Sequence, residues 1–297
     1  MILLGIDIGG TKVALRGEPD GADAHESAFN WPESGRAADD ITALRKHTEE
    51  IRARAGQPLT AVGVAVPATL DTHGRVISWP TRPSWRGLDL ATVLGELFPQ
   101  VELHWGDDGD LAALAEAHAA GCADLVYVGV GTGIGGGIVL GGRSVPGPRR
   151  GSCELGHLIV AQRGERCDCG RRGCLQAEAS GPATLRRAGA ARGAQVSFAE
   201  LGDGYAERAG WAVAAVEHSC AALAAALVGV GELARPDAMV IGGGFAAGIP
   251  GFVEETARQA ALLTRQGHPP APIGAAVLGG RSSLHGAVLA ARGGTGA

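Results

Sequence analysis

The sequence has no excess of positive charge. Its 26 Lys and Arg stand against 31 Asp and Glu, a formal net charge of −5. Such a balance gives no global field for nucleic acid or an anionic membrane, so a small-molecule partner is expected. Long apolar runs are also missing. The longest, Cys220 to Gly231, stops at Glu232, short of the ~18–20 residues that cross a bilayer, and reads as a buried helix. The opening MILLGIDIGGTK has neither the charged and apolar regions nor the cleavage site of a secretory signal, so the expected location is the cytoplasm. The phosphate-loop pattern G-x-x-x-x-G-K-[ST] does not occur. Six cysteines in a chain of this length do not suggest a disulfide framework, and three of them cluster between Cys167 and Cys174, which points to a metal.

Glycine, by contrast, is abundant. The 49 glycines exceed the usual share of roughly 7% and gather in short runs between apolar segments, as backbone devices do. The 297 residues suit two domains with a cleft between them. Apolar runs at ILLGIDI and KVALR flank a Gly-Gly turn and predict a β-hairpin. Ile41, Leu44, Thr48 and Ile51 recur at helical spacing between Asp39 and Ala55. Strands are expected at LTAVGVAV and VELHW, followed by a helix through LAALAEAHAAG. The second half restarts with the strand DLVYVGV, a glycine turn GTGIGGG and the strand IVLGG, which hints at an internal duplication. A long helix over Tyr205 to Leu233, a strand AMVIGGG, a helix from Gly251, a strand from Ala275 to Leu278 and a last helix from Ser282 complete an α/β class.

Three glycine runs carry candidate chemistry. Asp7 precedes a turn of Gly9, Gly10, Thr11 and Lys12, whose bare backbone either cradles a phosphate or simply reverses a hairpin. Gly131, Thr132 and Gly133 open a second run, where a hydroxyl among glycines adds a donor for phosphate oxygens. Gly242, Gly243 and Gly244 end a strand and either admit an adenosine against the backbone or serve close packing. Asp107 and Asp108 follow the strand VELHW directly, at the kind of strand end where α/β proteins place ligand sites. On general grounds two Asp before a helix are more often an N-cap than a base. His157, Cys167, Cys169 and Cys174 together offer one imidazole and three thiolates, a set suited to a closed structural zinc site.

With these motifs the sequence resembles the ROK family, the repressor, open-reading-frame and kinase group that includes bacterial glucokinases. The likeness runs through Asp7 to Lys12, Gly131 to Gly137, Ile241 to Gly244, and E-L-G-H followed by C-D-C-G-R-R-G-C. It implies a duplicated actin-like ATPase fold, also called ribonuclease H-like, with a small domain of residues 1–108 and 282–297 and a large domain of 109–281. It implies an ATP-dependent sugar kinase using ATP and Mg2+, with a structural Zn2+ on His157, Cys167, Cys169 and Cys174. Setting G-D-D-G-D-L-A-A-L-A-E beside the family's N-D-A-N-A-A-A-L-G-E puts Asp108 on its general base. Glu154 and His157 fall on residues that hold sugar hydroxyls, and Gly243 and Gly244 fall in the adenosine motif. Homodimers are common in the family, and no nucleic-acid or membrane partner is expected.

Two positions depart from the family pattern. Asp107 stands where the family has Asn, and Gln176 stands where it has Glu. By resemblance the first faces the 3-hydroxyl side of a glucose-type sugar and the second its anomeric hydroxyl, so one carboxylate has moved across the pocket. Asp107 beside Asp108 is a like-charge neighbour that needs a cation to offset it. An ammonium on the sugar would do so, and the expected substrate is 3-amino-3-deoxyglucose, phosphorylated at its 6-hydroxyl. An ordinary glucokinase or another hexokinase such as a fructokinase is the alternative of the same class. A non-catalytic sugar-binding sensor is the alternative of another class.

Overall fold

The computed structural model describes residues 1–147 and 151–293, so residues 294–297 of the expected small domain lie outside the described residues. The chain divides into two compact units. The first comprises Met1–Ala115, Arg143–Ser152 and Arg281–Ala297, and the second Glu116–Gly142 and Cys153–Gly280.

Strands β1 (Ile2–Ile8) and β2 (Lys12–Pro19) form the expected antiparallel hairpin, and β3 (His25–Asn30) pairs with β2. Helix α1 (Ala37–Ala55) follows, burying Leu44, Thr48 and Ile51 at the predicted spacing. It ends at Gly56, whose φ of 62° is a left-handed stop that glycine adopts without strain. Strand β4 (Leu59–Val66) lies parallel to β1. After the short ribbon of β5 (Thr69–Leu70) and β6 (Val76–Ser78) come α2 (Leu90–Leu97), β7 (Glu102–Asp107) and α3 (Asp108–Ala120). Strands β8 (Leu125–Val130), β9 (Ile134–Leu140) and β10 (Arg143–Val145) begin the second series. Helices α4 (Leu175–Ala179), α5 (Gly181–Arg192), α6 (Phe198–Ala206) and α7 (Gly210–Ala234) precede β11 (Ala238–Gly242). Helices α8 (Gly244–Gly248) and α9 (Phe252–Leu262), strand β12 (Ile273–Ala275) and helix α10 (Ser282–Ala291) follow.

One sheet runs β3-β2-β1-β4-β7 and the other β10-β9-β8-β11-β12. In both, the third, second, first, fourth and fifth strands of a series lie side by side, so the duplication only hinted at in the sequence is explicit in the topology. In the first unit α10 packs on β1 and β4. It does so through backbone: a Cβ on Gly63 would lie 1.8 Å from the carbonyl oxygen of Ala287. Leu4, Ile6, Val62 and Val64 form the core of that unit with Leu44 and Trp85, and Val126, Val128, Leu223, Met239 and Phe252 that of the second.

Several sequence expectations shift. The single helix expected from Tyr205 is two. Helix α6 starts at Phe198 under a Ser197–Glu200 capping box, and the chain breaks at Arg208, whose φ is 60°, before α7. Helix α7 has 25 residues with a mean hydropathy of 1.8 in its most apolar window, enough by length and composition to cross a membrane. The apolar run looked shorter because Glu217, His218 and Ser219 interrupt it. Its Leu223, Ala224 and Leu227 are buried, and it packs against α4, α5, α6 and α9 as the core helix of its unit. The glycine run after β8 is a turn only through Gly133, because β9 has already begun at Ile134. The last strand lies at Ile273–Ala275 rather than reaching Leu278, and the short helix α8 precedes the one expected from Gly251.

Candidate functional site

In the first unit Asp7 sits near the end of β1, where Ser283 donates a hydrogen bond to its Oδ2 at 2.7 Å. Burial raises its pKa, while the Ser283 bond and the Lys12 charge pull it back. The turn that follows has little room for a side chain at Gly9 or Gly10. The Gly9 N–H donates to the Lys12 carbonyl at 3.0 Å, and a Cβ on Gly10 would come within 2.9 Å of Thr81 Oγ1.

Asp107 ends β7 and Asp108 begins α3. Asp107 Oδ1 accepts the N–H of Gly109 at 3.0 Å and of Asp110 at 3.4 Å, the bonds of an N-cap. The capping role therefore falls on Asp107, the neighbour of the candidate general base Asp108. Burial, then the charges of Asp108 and Asp110, push the pKa of Asp107 up to about 8 against these two bonds.

In the second unit the two remaining glycine motifs are neighbours. Strands β8 and β11 pair in parallel with Gly129 opposite Gly242, so Gly131, Thr132 and Gly133 leave one strand end beside Gly243 and Gly244 at the next. The Gly131 N–H donates to the Gly133 carbonyl at 2.9 Å, and the Gly131 carbonyl accepts the Gly181 N–H at 2.9 Å. Gly243 takes a φ of 89°, and a Cβ there would lie 2.4 Å from the Val130 carbonyl oxygen. No other residue fits that position.

Glu154 is exposed and leads into a single helical turn, Leu155–His157. One ligand atom each from His157, Cys167, Cys169 and Cys174 lies within 4.8 Å of the others. His157 Nδ1 is 3.7 Å from Cys167 Sγ, and the sulfurs of Cys169 and Cys174 are 3.6 Å apart. A disulfide would need about 2.05 Å. Tetrahedral zinc with Zn–S bonds of ~2.3 Å has sulfur–sulfur edges of about 3.8 Å, so the four residues fit that ion. The ring nitrogen facing the set is Nδ1, which leaves Nε2 free of metal duty. The backbone N–H of Arg171, its side chain and the thiols of Cys167 and Cys174 lower the Cys169 pKa to about 6, while burial and then the thiols of Cys169 and Cys167 push Cys174 up to about 12.

Gln176 packs against this set. Its Nε2 donates to Cys167 Sγ at 3.6 Å, and its Oε1 would lie 3.5 and 3.4 Å from a Cβ on Gly133 and Gly156. Glu178 stands two residues further along α4. It is buried, and it accepts the Glu165 N–H at 2.6 Å and faces His218 Nε2 at 3.0 Å and Arg187 at 3.5 Å. It thus ties the loop between His157 and Cys167 to α5 and α7. Its only sequence signal is a carboxylate between two small residues, Ala177 and Ala179.

The chain belongs to the ROK family, which it matches over residues 3–293. It is similar to a kanosamine kinase of Amycolatopsis mediterranei, at 55% identity over 288 residues, covering 97% of this chain and 95% of that protein. Among solved structures it is similar to a ROK hexokinase from Thermus thermophilus, with a TM-score of 0.87, 32% identity and 98% of both chains covered. A ROK glucokinase from Streptomyces griseus, solved with glucose and AMPPNP, superposes with a TM-score of 0.82 at 24% identity, covering 99% of this chain and 100% of that one. The two-sheet architecture is the actin-like ATPase fold of these proteins.

Proposed function

We propose that the chain is an ATP-dependent sugar kinase that phosphorylates the 6-hydroxyl of kanosamine, 3-amino-3-deoxyglucose. The observation that carries the substrate is Asp107. Asn caps a helix as well as Asp does, so capping α3 does not call for a charge. A half-buried carboxylate beside Asp108 and Asp110, with a pKa of about 8, is costly to ionise until a cation meets it. The ammonium of a 3-amino sugar is such a cation. The 55% identical relative named for that substrate supports the same reading.

In this reading Asp108 accepts the proton of the sugar 6-hydroxyl as O6 attacks the γ-phosphorus. The bond from O6 to phosphorus forms, the bond to the β-phosphate oxygen breaks, and ADP leaves. The backbone at Gly9 to Lys12 and at Gly131 to Gly133 holds phosphates with Asp7 nearby, and Gly243 and Gly244 lie against adenosine. Mg2+ bound with the nucleotide would offset the charge of the phosphates. Glu154 and His157 Nε2 hold sugar hydroxyls. Bound zinc would fix the tautomer and direction of that imidazole through Nδ1. We assign the general base to a domain of 1–108 with 282–297, and the metal and adenosine motifs to 109–281. The same reading places the enzyme in the cytoplasm as a homodimer.

The test is ATP turnover against kanosamine, glucose, mannose, fructose and glucosamine. A buried charge-assisted hydrogen bond is worth roughly 1.5–3 kcal/mol, so kanosamine should exceed glucose by about 10–100-fold in kcat/KM. Preference for glucose at neutral pH would leave a plain glucokinase.

A further inference from the structure

The turn between β1 and β2 is held from behind by one residue from outside the hairpin. The indole N–H of Trp31 donates to the Gly9 carbonyl at 2.8 Å. The backbone N–H of the same residue donates to the Thr11 carbonyl at 3.2 Å. A peptide unit is planar and trans, so its C=O and N–H point in opposite directions. Anchoring the Gly9 carbonyl on the indole therefore turns the Gly10 N–H, the other half of that peptide, to the opposite side of the turn.

Trp31 is itself held in place. It is 5% exposed, meets Trp79 edge-on with centroids 6.4 Å apart, and lies 6.3 Å from Trp85. The Arg82 guanidinium sits 5.0 Å over its ring. Arg82 reaches Asp40 at 3.3 Å, and that fully buried carboxylate also accepts the Trp85 indole N–H at 2.9 Å. The segment from Trp79 to Trp85 also brings the Thr81 side chain up against Gly10.

We propose that Trp31 is a positioning residue for the nucleotide: its indole N–H presets the Gly9–Gly10 peptide so that the Gly10 amide is aimed at a phosphate before ATP arrives. The inference rests on the reading of Gly9 to Lys12 as a phosphate turn. It goes beyond that reading by assigning the turn's geometry to one hydrogen bond from a residue outside the turn. Preset donors bind more tightly than donors that must reorient on binding.

The same cluster supplies the control. Trp79 is similarly buried, but its indole nitrogen has no hydrogen-bond partner among the described residues. Trp31→Phe and Trp79→Phe therefore remove similar ring volume, and only the first removes a bond to the turn. Titration calorimetry of the full chain with Mg·AMPPNP, without sugar, should show Trp31→Phe weakened about 10-fold and Trp79→Phe within about twofold of wild type, the contrast expected when one hydrogen bond to a buried carbonyl is lost. In turnover, KM for ATP should rise in Trp31→Phe while KM for the sugar stays within about twofold. In the unaltered protein, the Trp31 indole 1H–15N resonance should shift on adding Mg·AMPPNP and that of Trp79 should not, a readout that needs no variant to fold. Equal affinity of Trp31→Phe and wild type, equal losses in both variants, or an unmoved Trp31 resonance overturns the inference and leaves the kinase reading intact. A wild type that does not bind Mg·AMPPNP overturns both.

Discussion

The side-chain amide of Gln176 donates to the sulfur of Cys167, one of the four residues suited to zinc. A carboxylate at 176 has no hydrogen to donate and is repelled by a thiolate, so it would turn away from the sulfur. We expect Gln176→Glu to retain about one zinc per chain, because the four ligands are untouched, and to raise kcat/KM for glucose relative to kanosamine. Combined with Asp107→Asn, it should bring the two substrates to within about threefold, since the charged contact of roughly 1.5–3 kcal/mol is then gone. An unchanged substrate ratio in the double variant would remove both positions from specificity.

Asp108→Asn should lower turnover by about 100-fold or more while the affinities for sugar and nucleotide stay within a few-fold, as loss of a general base does. Asn has similar shape and helix-starting behaviour, so the fold should survive. Turnover near that of wild type would take Asp108 out of the mechanism.

Protein purified without added metal should carry about one zinc per chain, and Cys169→Ser should lose it together with sugar affinity. Glu178→Ala leaves all four ligands in place but frees the Glu165 N–H and the loop it holds. It should therefore release zinc to a chelator about 10-fold faster without lowering the initial metal content. Active protein without zinc would refute the metal assignment, and unchanged release from Glu178→Ala would make that carboxylate merely part of the core.

Much of this architecture is legible in the sequence, because hairpins, glycine turns and a Cys/His cluster are local signals. The β1–β2 hairpin, the helical spacing of α1 and the four metal-ligating candidates are of this kind. The capping box Ser197–Glu200 was also there to read, and it would have started α6 at the right place. What escapes is whatever depends on partners distant in sequence. Asp40 looks like a surface carboxylate in the first turn of a helix until Arg82 and Trp85 meet it in the core. Trp31 looks like a loop aromatic until its indole is found on Gly9. The Asp107–Asp108 pair was legible as a pair, but the capping of α3 by Asp107 was not, since only the structure assigns the Gly109 and Asp110 amides to Asp107.

The pKa of Asp107 gives two linked predictions whose signs can be worked out. Its value rises from 3.8 to about 8 in the folded protein, through burial first and the charges of Asp108 and Asp110 second. For an acid shifted in this direction the stabilising effect is complete below the unfolded value and is lost as pH climbs to the folded one. Stability should therefore fall by up to about 1.4 kcal/mol per pH unit between about 4 and 8, a slope that Asp107→Asn removes. The variant should thus gain on wild type in urea midpoint from pH 5 to pH 8. Kanosamine should act in the opposite sense by stabilising the ionised carboxylate. At pH 7 wild-type Asp107 is largely protonated when unliganded, so binding the ammonium form should release up to about one proton, and this release should fall and turn to uptake as pH rises past the pKa of the amine, because the neutral amine must regain a proton to bind as an ammonium. Calorimetry in phosphate and in Tris, whose ionisation enthalpies differ, should give different observed enthalpies for kanosamine at pH 7 and equal ones for glucose. Asp107→Asn should abolish the difference for kanosamine. The kanosamine-to-glucose ratio of kcat/KM should rise from pH 6 to pH 8 and fall once the amine loses its proton. Equal enthalpies for kanosamine in the two buffers would mean that its amino group does not meet Asp107, and the charge at 107 would need another explanation.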